Sequence, residues 1–299
     1  MTTDVMGAVF SPRGRTLPVV TVVAAILVLW YLLAIALNWS QVEAKLSAGG
    51  TPPAVSDVVA GTWAMDRPVL PAPHQVIAEF WKTTVEVSPS SKRSLVYHAW
   101  ITASATMLGF AFGVILGMLL AAGIVHVRTL DRSLMPWIIA SQTVPILAIA
   151  PMIIVILGSI GMVGLVPKAI ISMYLCFFPV TIGMVKGLRS PDPLQIDLMR
   201  TYSATAWQVF WKLRMPASVP FLFASMKVAI AISLVGTIVG ELPTGASGGI
   251  GARLLTGSYY GQTVQIWSAL LMAAILGSVL VYAMGGIERL TLRRMGSRA

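Results

Sequence analysis

Ile101 to Val125 reads ITASATMLGFAFGVILGMLLAAGIV, without one charged side chain. A bilayer core of about 30 Å takes about 20 apolar residues in a helix, so this stretch is long enough to cross one. Within it, Ala105, Gly109, Gly113, Gly117 and Ala121 place a small residue at every fourth position. Such a ridge lets a neighbouring helix approach closely, which predicts tight helix packing. Five more stretches qualify as spans: about Leu17 to Leu37, Pro136 to Leu157, Ala169 to Val185, Val219 to Gly240 and Val264 to Gly286. Arg13 and Arg15 precede the first, but its apolar run is longer than the roughly 7–15 residues of a signal-peptide core, so it reads as an uncleaved anchor. The predicted fold class is all-α, integral to the membrane, with six transmembrane helices.

Composition agrees. The 299 residues are 57% hydrophobic and 11% charged, with mean hydropathy +0.82. Soluble domains carry about 25% charged residues, and disorder needs low hydrophobicity, so both classes are excluded. The formal charge of +10 forms no basic stripe with interleaved aromatics, which argues against a nucleic-acid partner. One cysteine, Cys176, and three scattered histidines exclude an internal disulfide and offer no metal-ligand spacing.

Placing both termini on one side gives that side 13 basic residues, including Arg128, Arg132, Lys186, Arg189, Arg200 and Arg214, against 7 on the other. The positive-inside rule then predicts cytoplasmic termini. The segments that follow are a cytoplasmic tail 1–16, an anchor helix 17–37 and an external segment 38–99. A core of five spans covers 100–286, with a cytoplasmic loop 186–216, and a basic cytoplasmic tail covers 287–299. The external segment holds the Pro and Ser clusters Thr51-Pro52-Pro53 and Ser88-Pro89-Ser90-Ser91.

The cytoplasmic loop opens with Ser190-Pro191-Asp192-Pro193, a helix-start signal. Nothing from Leu194 to Phe210 breaks a helix, and Met215-Pro216 and Pro220 are expected to end the loop. From periodicity alone, an amphipathic helix lying at the membrane surface is an equally good reading.

Asp197-Leu198-Met199-Arg200-Thr201-Tyr202-Ser203, followed by Leu213-Arg214-Met215-Pro216, resembles the "EAA" signature of ABC importer permeases. Asp197 stands at the acid, Ser203 at the glycine, Leu213 at the isoleucine and Met215-Pro216 at Leu-Pro. Other segments resemble the nitrate/taurine/alkanesulfonate-type branch in the same order along the chain. They are Leu70-Pro71-Ala72-Pro73, Ser141 to Pro151, Phe177-Phe178-Pro179, Gly187 to Pro193, Gly240-Glu241, Gly248-Gly249-Ile250-Gly251 and Ile287-Glu288-Arg289.

The resemblance implies a type I ABC importer permease fold in the bacterial inner membrane. It implies a second copy of the chain, two cytoplasmic ABC ATPase subunits and an external solute-binding protein as partners. ATP and Mg would be bound by the ATPase, with no cofactor in this chain, and no G-x-x-x-x-G-K-[ST] occurs in it. The helix from Asp197 to Trp207 would couple the two, with Asp197, Arg200, Ser203, Ala204, Thr205 and Trp207 as contacts. The small Ser203 and Ala204 would permit close approach of the two backbones.

Pro136, Pro145 and Pro151 are expected to break the third span, and freed carbonyls are tolerated where protein or water satisfies them. A site near Gln142 and Thr143 is therefore expected. Because the spans hold almost no fixed charge, a pathway along Gln142, Thr143, Tyr174, Phe177, Ser225 and Ser233, with Ser172 beside it, is expected as well. Lys227 reads as snorkelling or paired within the bundle, and Glu241 as a gate or loop contact. An uncharged lining suits a planar, pyrimidine-like heterocycle better than a sulfonate- or nitrate-type anion. A secondary transporter without an ATPase is the alternative, but it lacks a relay of paired ionisable groups within the spans. A membrane-embedded enzyme would need clustered His, Asp or Glu, and there are none.

Overall fold

Long apolar runs with few breakers fold as helices because each residue satisfies its own backbone, which lipid demands. The computed structural model describes residues 12–47, 53–243 and 248–296, and all regular structure among them is helical. Residues 1–11, Thr51-Pro52, Arg298 and the side chains of Arg13 and Arg15 lie outside the described set. Two compact units are formed, one from residues up to Glu86 with Thr256–Ala269, the other from Val87–Leu255 with Leu270–Ala299.

In the first unit, α1 (Pro12–Ser47) runs ten residues beyond the predicted end of the anchor at Leu37. Across that predicted end runs a buried stripe, Ala34, Asn38 and Val42, at helical spacing. Asn38 donates to the Leu70 carbonyl at 2.8 Å and accepts from the Val69 N–H at 2.7 Å. Trp30 Nε1 donates to the Pro71 carbonyl at 3.0 Å. The Leu70-Pro71-Ala72-Pro73 turn is thus pinned to α1 before Pro73 starts α3 (Pro73–Trp81), while α2 (Val55–Trp63) lays Gly61 against Val42. Leu17, Val20, Ile26 and Leu32 stay exposed along the same helix, an apolar surface that suits lipid and not water.

The second unit is built on α4 (Leu95–His126), α7 (Leu165–Leu188) and α10 (Met215–Glu241), with α7 packed against both others. The predicted ridge lies in the α4–α7 contact. A Cβ on Gly109 would meet the Ala169 carbonyl and Ser172, one on Gly113 would land on Cys176 Sγ, and one on Gly117 would meet Val180. On the other side of α7, Gly183 and Gly187 take Ser225, Ser218 and Phe221 of α10, and α10 returns Gly236 and Gly240 onto Ser172 and Ile171. Gly113→Val is therefore expected to cost about 1–3 kcal/mol by overpacking. Gly285, with nothing within 4 Å, should accept alanine without that loss. Thermal unfolding in detergent measures both.

The third expected span, Pro136 to Leu157, is not one helix. It is α5 (Arg128–Ala140), a 3₁₀ turn (Ser141–Thr143) and α6 (Ile146–Ser159), bent by 100°. Only Pro145 coincides with the bend, and Pro136 and Pro151 sit inside helices. Neither piece alone, at about 1.5 Å per residue, reaches 30 Å. Among the described residues, five helices are long and apolar enough to cross a membrane, or six spans if the bent pair counts as one.

The expected boundary at Met215-Pro216 is also absent. After α8 (Pro193–Thr201), α9 (Ala206–Val209) and a π-turn (Phe210–Arg214) run directly into α10, giving a 36-residue span, Ala206–Glu241. Pro216 falls in the first turn of α10, where a missing N–H is harmless. The chain continues through α11 (Ile250–Tyr259) and α12 (Thr263–Arg294). Lys227 of α10 pairs with Glu288 of α12, as the bundle reading of that lysine anticipated.

Candidate functional site

Two places on the second unit concentrate polar chemistry, at opposite ends of the α4–α7–α10 layer. The first is the connection from α7 to α10. Asp192 Oδ1 accepts from the Leu194 N–H at 2.8 Å, and Gln195 Oε1 accepts from the Asp192 N–H at 3.3 Å, a capping box that starts α8 with Pro193 in its first turn. The helix predicted to continue to Phe210 stops at Thr201. The Ser203 N–H donates to the Arg200 carbonyl at 2.8 Å and the Ala204 N–H to the Met199 carbonyl at 3.0 Å. This is a Schellman close, whose C′ residue must be left-handed. Ser203 fills that place with φ 51°, the one described non-glycine residue at positive φ.

A second capping box restarts the helix. Thr205 Oγ1 accepts from the Gln208 N–H at 3.3 Å, and Gln208 Oε1 from the Thr205 N–H at 2.9 Å. Of the six predicted contacts, Asp197 and Arg200 lie on α8, Ser203 and Ala204 in the turn, and Thr205 and Trp207 at the start of α9. Asp197 and Arg200 pair with each other at 3.0 Å on the surface, worth little to stability.

The left-handed serine explains why a glycine suits this position. Ser203→Gly is expected to stabilise the turn by about 1 kcal/mol, since the left-handed cost disappears. Unfolding of Ser203→Gly and Ser203→Val should move in opposite directions.

An apolar stripe stands on this connection without cover. Leu194, Leu198 and Tyr202, at helical spacing, are 78%, 57% and 78% exposed, and Trp207 is 69% exposed. Phe210 fixes the return of the chain: it is buried among Ile124, Met184 and Leu188, with its ring 4.9 Å from His126. Ile115, Met118, Leu119, Trp207 and Trp211 border an apolar groove of about 350 Å³ beside it.

The second place joins α4, α7 and α10 to the start of α11. Glu241, read from sequence as a gate or loop contact, and Lys168 are buried and lie 3.3 Å apart, with side chains 0% and 5% exposed. Thr102 Oγ1 donates to the Glu241 carboxylate at 3.0 Å, and the Gly251 N–H donates to Oε2 at 2.8 Å. Lys168 Nζ donates to the Gly248 carbonyl at 2.9 Å. The Gly249 N–H donates to His98 Nδ1 at 3.0 Å, and the Ile250 N–H to Thr102 Oγ1 at 2.9 Å.

The carboxylate thus fills the anion position at a helix N-terminus, where N–H groups and the helix dipole favour negative charge. That explains the glycines. Gly249 has φ +123°, and a Cβ there would strike the Glu241 carboxylate, while one on Gly248 would come within 2.5 Å of Ile101 Cδ1. The loop-contact reading of Glu241 agrees with this geometry. The roles of Thr102, His98 and Lys168 were not read from the sequence.

Between these ends a hydroxyl seam crosses the layer. Thr106 Oγ1 donates to Thr237 Oγ1 at 3.0 Å, Ser233 Oγ to the Thr106 carbonyl at 3.1 Å, and Ser172 and Ser233 hydroxyls meet at 2.5 Å. The expected pathway residues divide accordingly. Gln142 and Thr143 are exposed at the bend, where Tyr174 Oη donates to the freed Ser141 carbonyl at 2.6 Å. Phe177, Ser225 and Ser233 are enclosed within the subunit, at 9%, 9% and 0% exposure. Among the described residues, no group of three or more His, Cys, Asp or Glu could hold a metal ion.

Comparison with known proteins gives a consistent result. The profile of the family described as "Binding-protein-dependent transport system inner membrane component" matches residues 113–297. The riboflavin transport system permease protein RibX of Chloroflexus aurantiacus is 30% identical over 75% of this chain and 80% of its own length. The formylaminopyrimidine transport permease protein ThiX of Halalkalibacterium halodurans is 27% identical over 75% and 85%. The aliphatic sulfonates permease protein SsuC of Bacillus subtilis, itself assigned putatively, is 25% identical over 76% and 78%. In fold, a chain of the inward-facing MetNI methionine ABC transporter superposes with TM-score 0.57 at 18% identity, covering 66% of this chain and 95% of that one.

Proposed function

We propose how this chain works from the premise that it belongs to the family of inner membrane components of binding-protein-dependent transport systems, the permeases of ABC importers. It is a multi-pass subunit of the bacterial inner membrane and not an enzyme; ATP hydrolysis belongs to a separate subunit, and an external binding protein completes the system. A secondary transporter working without an ATPase is thereby set aside.

In our reading, α8, the Ser203 turn and α9 form the element that docks the ATPase. The observation that carries it is the uncovered stripe Leu194, Leu198, Tyr202 and Trp207 on a segment capped at both helix starts. An uncovered apolar surface of this kind marks a contact with a protein or a membrane, and the separate ATPase of this family is the partner we assign to it. Closure of the ATPases on ATP would move it as a body. Both termini and loop 186–216 are then cytoplasmic, 38–99 is external, and two copies of the chain pair with two ATPases. Ser203 and Ala204 offer little bulk at the closest approach.

We assign the cargo to small planar heterocycles of the pyrimidine or flavin type. Two relatives with 30% and 27% identity are named for riboflavin and formylaminopyrimidine, and a sulfonate permease protein has 25%. The lysines deep within the described spans support this, because Lys168 and Lys227 are each paired with a glutamate and so are not free to neutralise an anion. The test is ATP-driven uptake into vesicles holding the complete complex with its binding protein. Pyrimidine uptake, with a complex of two copies of this chain and two ATPases, is expected. Uptake of alkanesulfonates alone would overturn the cargo, and one copy beside a different permease would overturn the pairing.

A further inference from the structure

Glu241 closes the far end of the same helical rod whose near end carries the ATPase contact. From Ala206 to Glu241 the chain is helical without interruption, a lever of about 54 Å at 1.5 Å per residue. It is stiffened along α7 by the glycine approaches at Gly183, Gly187, Gly236 and Gly240. At its end, the first turn of α11 rests on three helices by different bonds. Gly249 and Ile250 donate to His98 and Thr102 of α4, and Gly248 accepts from Lys168 of α7. Gly251 donates to Glu241 of the rod itself, at 2.8 Å. The Lys168 contact with the same carboxylate is longer, 3.3 Å, and its ammonium sits on a flexible stem that can follow or release. A shift of the rod against α4 and α7 therefore strains the α11 seat, and the short Gly251 bond, which joins the rod's carboxylate to the backbone of α11, is placed to carry the movement.

We infer that Glu241 is a positioning residue whose carboxylate delivers the movement of the α9–α10 rod to α11, so that closure of the ATPases rearranges the opposite mouth of the subunit. This rests on the coupling assignment above.

Two paired variants separate positioning from mere stability, since each removes both buried charges at once. Lys168→Met with Glu241→Gln keeps an acceptor for Gly251, whereas Lys168→Met with Glu241→Met does not. In the full complex reconstituted in vesicles, the glutamine pair should transport at the wild-type rate. The methionine pair should hydrolyse ATP within about twofold of wild type yet transport about tenfold more slowly, within the usual range of coupling between distant sites. Spin labels at Trp100 of α4 and Leu255 of α11 should change separation between nucleotide-free and ATP-trapped states in wild type and the glutamine pair, and not in the methionine pair.

Equal transport by both pairs, or a wild-type separation indifferent to ATP while the ATPase contact at Thr205 responds, would overturn the inference. If the contact at Thr205 itself ignores ATP, the coupling assignment fails first and the inference falls with it.

Discussion

Lys168→Met alone is expected to prevent accumulation of folded protein. Breaking a buried ion pair by removing one partner costs about 3–5 kcal/mol, because the remaining charge stays buried without its counter-ion. Glu241, whose side chain is 0% exposed, would lose the ammonium 3.3 Å away, while Thr102 and Gly251 would still donate to it. Folded proteins carry about 5–15 kcal/mol in all, so most of the margin would go. Adding Glu241→Gln should restore yield and unfolding temperature, since replacing both members of a buried pair is often neutral. Yield in detergent and thermal unfolding of the single and double variants measure this. A single variant as stable as wild type would contradict the assignment of the pair as a buried, mutually dependent unit.

The second large effect is expected at the other end. Leu198→Asp combined with Trp207→Ala should abolish recovery of the ATPase with this chain and should abolish transport, while leaving the permease folded. Both side chains are mainly exposed, 57% and 69%, so their loss opens no cavity in the subunit. At an interface, buried aromatic and apolar anchors of this type each contribute about 2 kcal/mol or more. Two together correspond to roughly a thousandfold in affinity. Co-purification and ATP-driven uptake are the readouts. Asp197→Asn, which disturbs only a surface pair, should cost far less.

Why some of this was legible and some not follows from the range of each signal. The Gly109, Gly113 and Gly117 ridge is a local pattern of period four, and it fell where the pattern says, against α7. The bend at Pro145 was one of three equivalent prolines in an apolar run. What distinguishes it is the polar stretch Ser141-Gln142-Thr143 before it and a hydroxyl from Tyr174, which satisfies a freed carbonyl from another helix. The continuous helix through Met215-Pro216 was not legible because that pair looks like a stop. A proline in a first turn is equally a start, and the π-turn ahead of it keeps the rod continuous.

The break at Ser203 was invisible to helix propensity, since serine is no breaker. Only its place at the glycine of the signature hinted at a left-handed residue. The Lys168–Glu241 pair left no sign in the sequence, because the two residues are remote in the chain and pairing over that range leaves no periodic trace. The glycine run 248–251 was noticed, yet its purpose, room for a carboxylate, needed the fold.

Cysteine cross-linking at the Ser203 turn tests the central claim most directly. Cys176 is buried against Gly109 and Phe110, so cysteines introduced at Ser203 and Thr205 are the accessible thiols of the chain. In the assembled importer, each should form a disulfide with a cysteine in the ATPase groove, in an ATP-dependent manner. Failure to cross-link at every position from Asp197 to Trp207, in a complex that still transports, would contradict the account.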